Sequence, residues 1–458
     1  MSSKDRKKKD YVELEVVHSG ACGIDIGGKF HLVSIGQDQE KQVRKYGVHT
    51  EALHELGNWL VGQGINTVAM ESTGVYWKSL WRILQDYGME VVLVSRSWKQ
   101  EKKTDVLDCM WLQQLHSMGL LKGSYLADNA TEELKHLWRH RQGLVRTGND
   151  YVRRMQKSMR LMNMCLETVL SSIVGASGQA IIQAIIEGQR DAALLAGLVD
   201  KRVQKPKEEI IKALQADWRI EHLFELQQCY ELYQILEQKR VVCDEKIEEL
   251  LNARIRRDDQ QTQYLEQSGN IKKKRKNKND PKFDVQRLSY ALFKGIDLSA
   301  VDGISHGAIM SLLAEVGTDV KAFANANSFV SWLRLCPNNR ISGGKQLLSR
   351  SQRTANALAQ ALKQSANAIG RHNKGALAGF FHRIAHKKGW KAAITATARK
   401  LAVIIWNMIA KQQPFNYMSN EQYQQQLKTR SVKAINRQIT RWGIKPQDLL
   451  FDELPAPA

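Results

Sequence analysis

Between residues 320 and 420 the chain has no aspartate and no glutamate, yet sixteen lysines and arginines fall in those 101 residues. A solvated helical surface ordinarily mixes both signs, so this stretch excludes an ordinary exposed face and points to a polyanion. The same absence excludes carboxylate ligation of a metal from within it. The stretch can offer a nucleophile and cations, and any metal must be held elsewhere. Cysteine is scarce: six residues, at 22, 109, 165, 229, 243 and 336, with no C-x-x-C pair. That spacing argues against a zinc ribbon or a disulfide framework and makes a reducing cytoplasm the expected compartment. No apolar run reaches the ~18 residues of a membrane span, and no apolar signal segment follows the basic start, so no membrane partner is expected.

What is present is ordinary in bulk and uneven in charge. The 458 residues, 43% apolar and 25% charged, suit a folded chain of two or three domains. Lys+Arg is 68 against 47 Asp+Glu, a formal charge of +21, and the acid-free stretch carries sixteen of those charges. Its Arg340, Lys345, Arg350, Arg353, Lys387 and Lys388 are candidate phosphate contacts. A second basic run, KKKRKNK at 272–278, adds Lys272, Lys273, Lys274 and Arg275 as candidates, although a solvated linker is its plainest reading. A third opens the chain at 4–9.

Hydrophobic periodicity divides the chain. After a basic tail at 1–19, residues 20–130 alternate strand-like and helix-like patterns: a hairpin turning at Gly27-Gly28, buried strands near 67–70 and 91–95, and helices near 51–63, 76–87 and 104–118. This predicts an α/β domain. Residues 131–270 hold two long, polar, nearly glycine-free stretches, 131–163 and 222–253, that suit extended helices or a coiled coil. A basic linker at 271–287 leads to an all-α domain at 288–415 and a tail at 416–458. Within it, 301–317 reads as helix–hairpin–helix around Gly303-Ile304, whose turn amides and following helix N-terminus can bind a phosphate.

Four acids of the first domain share a pattern. Asp25 lies inside an apolar strand, where an unpaired carboxylate costs several kcal/mol if buried (~2–7 even for a neutral polar group). Glu71 follows directly on a second strand, and Asp105 and Asp108 stand at i, i+3 on one helix face. Two strand acids plus a helical D-x-x-D are the hard oxygen ligands that two Mg2+ ions about 3.5–4 Å apart require. GIDIGG around Asp25 also resembles the first phosphate loop of actin-like ATPases, but no second such loop follows. In the second half, Ser342 precedes Gly343-Gly344-Lys345 after Pro337-Asn338-Asn339, which reads as a loop whose backbone lets a phosphodiester approach.

These strings together resemble one family. GIDIG around Asp25, MESTGVYW around Glu71, KTDVLDCMWLQQL around Asp105 and Asp108, VDGISHGAIMSLLAEVG at 301–317, FVSWLRLCPNNRISGGK at 329–345 and NALAQAL at 356–362 are similar, in order, to the DEDD transposases of insertion-sequence family 110, with the Piv-like invertases. The resemblance implies an RNase H-like (RuvC-like) domain, a helical linker and a C-terminal transposase domain with a nucleophilic serine, here Ser342. It implies Mg2+, with Mn2+ as a substitute, at Asp25, Glu71, Asp105 and Asp108. It also implies donor and target DNA in the nucleoid, a non-coding bridge RNA as guide, and a homo-oligomer, dimer or tetramer. A hydrolytic RNase H-like nuclease or junction resolvase is the alternative in which Ser342 is only a turn residue, and a non-catalytic nucleic-acid organiser is another.

Overall fold

The computed structural model describes residues 15–36, 42–72, 74–94, 104–351, 356–372, 375–416 and 418–443. They form two compact units, one ending at Leu126 and the other beginning at Ala127.

The first unit is a mixed sheet with helices on both faces. Strands β1 (Ala21–Ile26), β2 (Phe30–Ile35) and β3 (Gln42–Gly47) run antiparallel in sequence; after α1 (Thr50–Gly62), β4 (Thr67–Glu71) joins β1 in parallel, and after α2 (Trp77–Asp86), β5 (Glu90–Val94) joins β4. The order is β3-β2-β1-β4-β5. Alternation along the strands decides the layers. Cys22, Ile24, Ile26, Val68 and Met70 point to one face, where they bury against Leu53, Leu56 and Leu60 of α1 and Leu80, Trp81 and Leu84 of α2. Gly23, Ala69 and Thr67 belong to the other face, which is covered by α3 (Asp105–Ser117) packing across β1, β2 and β4.

The second unit is mostly helical. Helices α4 (Asn129–Leu161) and α9 (Ile220–Ile255), 33 and 36 residues long, pack along one another. At 1.5 Å per residue each spans about 50 Å. Between them α5 (Leu166–Val169), α6 (Ala176–Ile186), α7 (Ala192–Ala196) and α8 (Lys207–Leu214) enclose a methionine-rich core with Met155, Met159, Met162 and Met164. The expected linker is structured: α10 (Asp259–Gln267) and α11 (Val285–Leu292) pack on each other, and the basic run between them lies inside the unit. Helix α12 (His306–Glu315) packs on α4, where Arg139 grips Glu315 through three hydrogen bonds of 2.8–3.0 Å. Then come α13 (Ala326–Trp332), β6 (Pro337–Ser342), β7 (Lys345–Ser351), α14 (Ala357–His372), α15 (Gly375–Lys388), α16 (Trp390–Lys411) and α17 (Asn420–Trp442).

One expectation is corrected here. The C-terminal region is not all-α: β6 and β7 form an antiparallel ribbon, and Pro337-Asn338-Asn339 is strand rather than loop. Proline costs little as the first residue of a two-stranded ribbon, where both strands are edges. Gly343 (φ +55°) and Gly344 (φ +73°) supply the two left-handed residues of a tight hairpin turn. Helix α16 is long and apolar enough to cross a membrane by length and composition alone. It packs against α13, α14 and α15 and is the central helix of this bundle.

A buried charge cluster ties α4 to α9. The fully buried Arg141 donates two hydrogen bonds to Asp244 and a third, of 3.0 Å, to the carbonyl of Asn279. Asp244 also accepts from the Lys282 amide at 3.1 Å and faces Arg240 at 3.7 Å.

Candidate active site

The sheet register brings two of the acids together. Ile24 pairs with Met70 across the parallel β1–β4 ladder, so Asp25 and Glu71 are the next residues on neighbouring strands and share a face. That face is the one α3 covers, and both carboxylates are half-buried at the ends of their strands.

The other two acids lie in the first turn of α3, Asp105 exposed and Asp108 half-buried, and close contacts set the place of that helix. A Cβ on Gly23 would stand 2.4 Å from the Gln113 nitrogen and 2.5 Å from the Cys109 carbonyl, so only glycine lets the helix lie this near the strand. Gln113 donates to the Ala21 carbonyl at 3.4 Å, and the His116 Nε2 lies 2.9 Å from Thr67 Oγ1 on β4. Thr104 caps the helix by accepting from the Leu107 amide at 3.3 Å, which places Asp105 and Asp108 in the first turn, where the helix dipole favours anions. The Cys109 thiol reports both sources of charge: burial first, then Asp25 and, more weakly, Asp108 push its pKa up to about 12. Among the described residues no three or more His, Cys, Asp or Glu close up tightly enough to hold an ion. The four acids expected as ligands offer only carboxylate oxygen, a chemistry that suits a hard divalent cation rather than zinc.

Several histidines and tryptophans are core or surface residues. His116 is buried, stacks on His18, and is pushed down to about 4 by burial and then by His18. His136 and His140 are exposed, while Trp77 and Trp81 are core.

Ser342 and Lys345 lie in the second unit, exposed, as the paired residues flanking the hairpin turn. Residues paired across two antiparallel strands point to the same side, so both side chains leave the ribbon on one face. Arg340 and Arg350 lie on β6 and β7, but their side chains, and all of Arg353, are outside the described residues. Lys387 and Lys388 are exposed in the last turn of α15. Of the basic run, Lys272, Lys273 and Arg275 are exposed.

Lys274 and the helix–hairpin–helix turn are corrected. The Lys274 ammonium is half-buried and donates to the carbonyls of Ser299 (3.0 Å) and Ile304 (2.8 Å), so it fastens the turn instead of waiting for a phosphate. The turn itself faces protein: a Cβ on Gly303 would meet Ile369 at 2.6 Å and the Ser365 carbonyl at 2.8 Å on α14. The N-terminus of α12 is already filled. Ser305 accepts from the Ala308 amide at 3.2 Å, and Asp280 meets His306 Nδ1 at 3.0 Å. Burial raises the Asp280 pKa, but the bonds from His306 and the Asn277 amide outweigh it and hold the carboxyl below its usual range.

Sequence reasoning missed the α3 contacts. The Thr104 cap was legible as Thr-Asp before a helix, but the approach of Gln113 to Gly23 was not. Two acids on one sheet face, two more on the helix that covers it and an exposed serine on a glycine turn are the features present, and comparison with known families supplies the class, a DNA-cleaving and recombining enzyme of the transposase kind. Residues 22–164 match the transposase model for DEDD enzymes of the IS110 type, and residues 297–381 match that of the transposase IS116/IS110/IS902 family. The chain belongs to the IS110 family of DEDD transposases. A search of curated proteins found no match.

Proposed function

We propose that this transposase breaks DNA with Ser342 and that Asp25, Glu71, Asp105 and Asp108 of an RNase H-like domain hold Mg2+ for that step. The Ser342 oxygen forms a bond to phosphorus and the bond to the 3′ oxygen breaks. The products are a phosphoserine link and a 3′-hydroxyl, the serine proton balancing the one the leaving oxygen takes up. Lys345, beside Ser342 on the ribbon, holds the phosphate oxygens. Bound Mg2+ supplies Lewis-acid polarisation. DNA is the substrate in the nucleoid, with a bridge RNA as guide and a homo-oligomer, dimer or tetramer, as the assembly. The family resemblance supports the RNA and the assembly, and the +21 charge accords with a polyanionic guide.

The observation that carries this reading is the separation of chemistry along the chain. A serine hydroxyl is too weak an acid to attack a phosphodiester unaided. No Asp or Glu lies within twenty residues of Ser342 on either side. Its activation therefore comes from the carboxylate site more than 230 residues earlier, in this chain or in another copy. The pairing of Asp25 with Glu71 under α3 supports the metal assignment.

Mixing Ser342→Ala with Asp105→Asn chains tests the composite site. An adduct from the mixture, with none from either variant alone, supports completion between chains, and an inert mixture beside active wild type rejects it. An adduct from Ser342→Ala alone removes this serine, leaving Ser349 or Ser351. Mn2+ titration by electron paramagnetic resonance should lose its tight site in Asp105→Asn or Asp108→Asn; unchanged binding rejects the metal assignment.

A further inference from the structure

The C-terminal segment beyond the matched families builds a groove. Two adjoining cavities, about 440 and 560 Å3, share Asn416, Met418, Gln426 and Arg430 and run along α17, the first reaching α16 and the start of α15. Their lining is one-sided. Lys400, Lys411, Arg430 and Lys433 contribute four cations, and Asp302 is the one carboxylate. Among the described residues, none of these four cations is in an ion pair. Lys400 is half-buried with its ammonium 4.5 Å from the Phe380 ring and 5.5 Å from that of Tyr423. Burial, then Arg383 and Arg430, hold its pKa below the usual lysine value, so the groove gathers like charge with little to offset it. Between the cations stand the amides of Gln425 and Gln426, with Gln422, whose oxygen accepts from the Ser419 amide, and Asn407, which donates to the Val403 carbonyl, beside them.

Cations hold phosphates and carry no sequence information, whereas amides present both donor and acceptor to a base edge. A concave slot of this size, formed by two cavities with four lining residues in common, suits an extended strand; a duplex is convex and offers grooves rather than filling one. We propose that this groove binds single-stranded polynucleotide, with Lys400, Arg430 and the rim lysines on phosphates and the α17 amides on bases.

The test uses the full-length Asp105→Asn chain without metal, so that its failure is separate from failure of the cleavage reading. A short fluorescein-labelled single strand, as RNA and as DNA of the same sequence, and the matching duplex are titrated by anisotropy over a range of KCl. The double variant Lys400→Met, Arg430→Gln should flatten the single-strand log–log salt slope by about 1.4, at ~0.7 per lost phosphate contact, and leave the duplex slope unchanged. Lys400→Arg with Arg430→Lys should keep the wild-type slope. If the first pair fails to fold, the exposed Lys411→Gln with Lys433→Gln should give the same flattening. The arm with the tighter binding, RNA or DNA, names the source of the strand. An unchanged single-strand slope overturns the proposal, and so does an equal loss on duplex, which would reduce the groove to general surface charge.

Discussion

Gly23→Ala isolates what places the helical acids. The added Cβ would sit 2.4 Å from Gln113 nitrogen and 2.5 Å from Cys109 oxygen, against 3.4 Å for ordinary contact. Both neighbours are backbone of α3, so no side chain can swing away and the helix must retreat by about 1 Å. Overpacking of this kind costs about 1–3 kcal/mol. The functional cost is larger in proportion, because Asp105 and Asp108 ride on α3 while Asp25 and Glu71 stay with the strands, and a misplacement of 1 Å can cost about 100-fold in rate. Gly57→Ala is the control. Its Cβ would meet the Tyr87 ring at 2.7 Å, a side chain, on the sheet face away from the acids. Single-turnover cleavage of supercoiled DNA, read beside urea unfolding, should show Gly23→Ala slowed about 100-fold and Gly57→Ala near wild type. Wild-type cleavage by Gly23→Ala would refute the argument that α3 and the strands jointly form the site.

Three further outcomes follow from buried groups. Asp244→Asn leaves the buried Arg141 and Arg240 without their shared anion and should destabilise the second unit by about 3–5 kcal/mol in urea unfolding; a loss under about 1 kcal/mol would mean the cluster is not the tie between α4 and α9. His116 is held neutral at about 4, below the ~6.5 of an unfolded chain, so its contribution is complete above pH 6.5 and is lost as pH falls toward 4. His116→Gln should flatten the stability of the first unit across that window, and an unchanged pH profile would assign the slope to other groups. Lys274→Met should lower the melting temperature while leaving the salt slope of duplex binding unchanged; a slope flatter by about 0.9 would return Lys274 to the phosphate contacts.

Elements with strong apolar periodicity were legible. The hairpin of β1 and β2, the buried β4 and β5, the amphipathic α1 to α3 and the long α4 and α9 all lie within a few residues of their sequence patterns. Those fixed by partners were not. Strand β3, QVRKYG, is half exposed and has no continuous apolar face; its pairing with β2, the packing of Tyr46 on the core and the stacking of Arg44 on Trp59 and Lys45 on Phe30 hold it as an edge. In the ribbon of β6 and β7, Pro-Asn-Asn has loop chemistry locally and becomes strand through pairing. At the site, the order of the acids was visible, because strand-end and i, i+3 positions are sequence properties. That Asp25 and Glu71 are neighbours depends on register. The loss of Lys274 and the α12 turn as phosphate binders depends on Asp280 and α14, which no local pattern shows.

The ribbon carrying Ser342 makes the reach of the proposed nucleophile a matter of parity. Its turn is two glycines closed by the Ser342–Lys345 pair, so the hydroxyl sits at the end of a lever whose length is counted in residue pairs. Adding one pair would lengthen the lever by about 3.4 Å and turn the serine to the opposite side; adding two would lengthen it by about 7 Å and restore the side. An odd insertion should therefore silence the nucleophile by orientation, and an even one should move the point of attack while keeping its aim. Distance and facing, which are entangled in most loops, can be varied separately here.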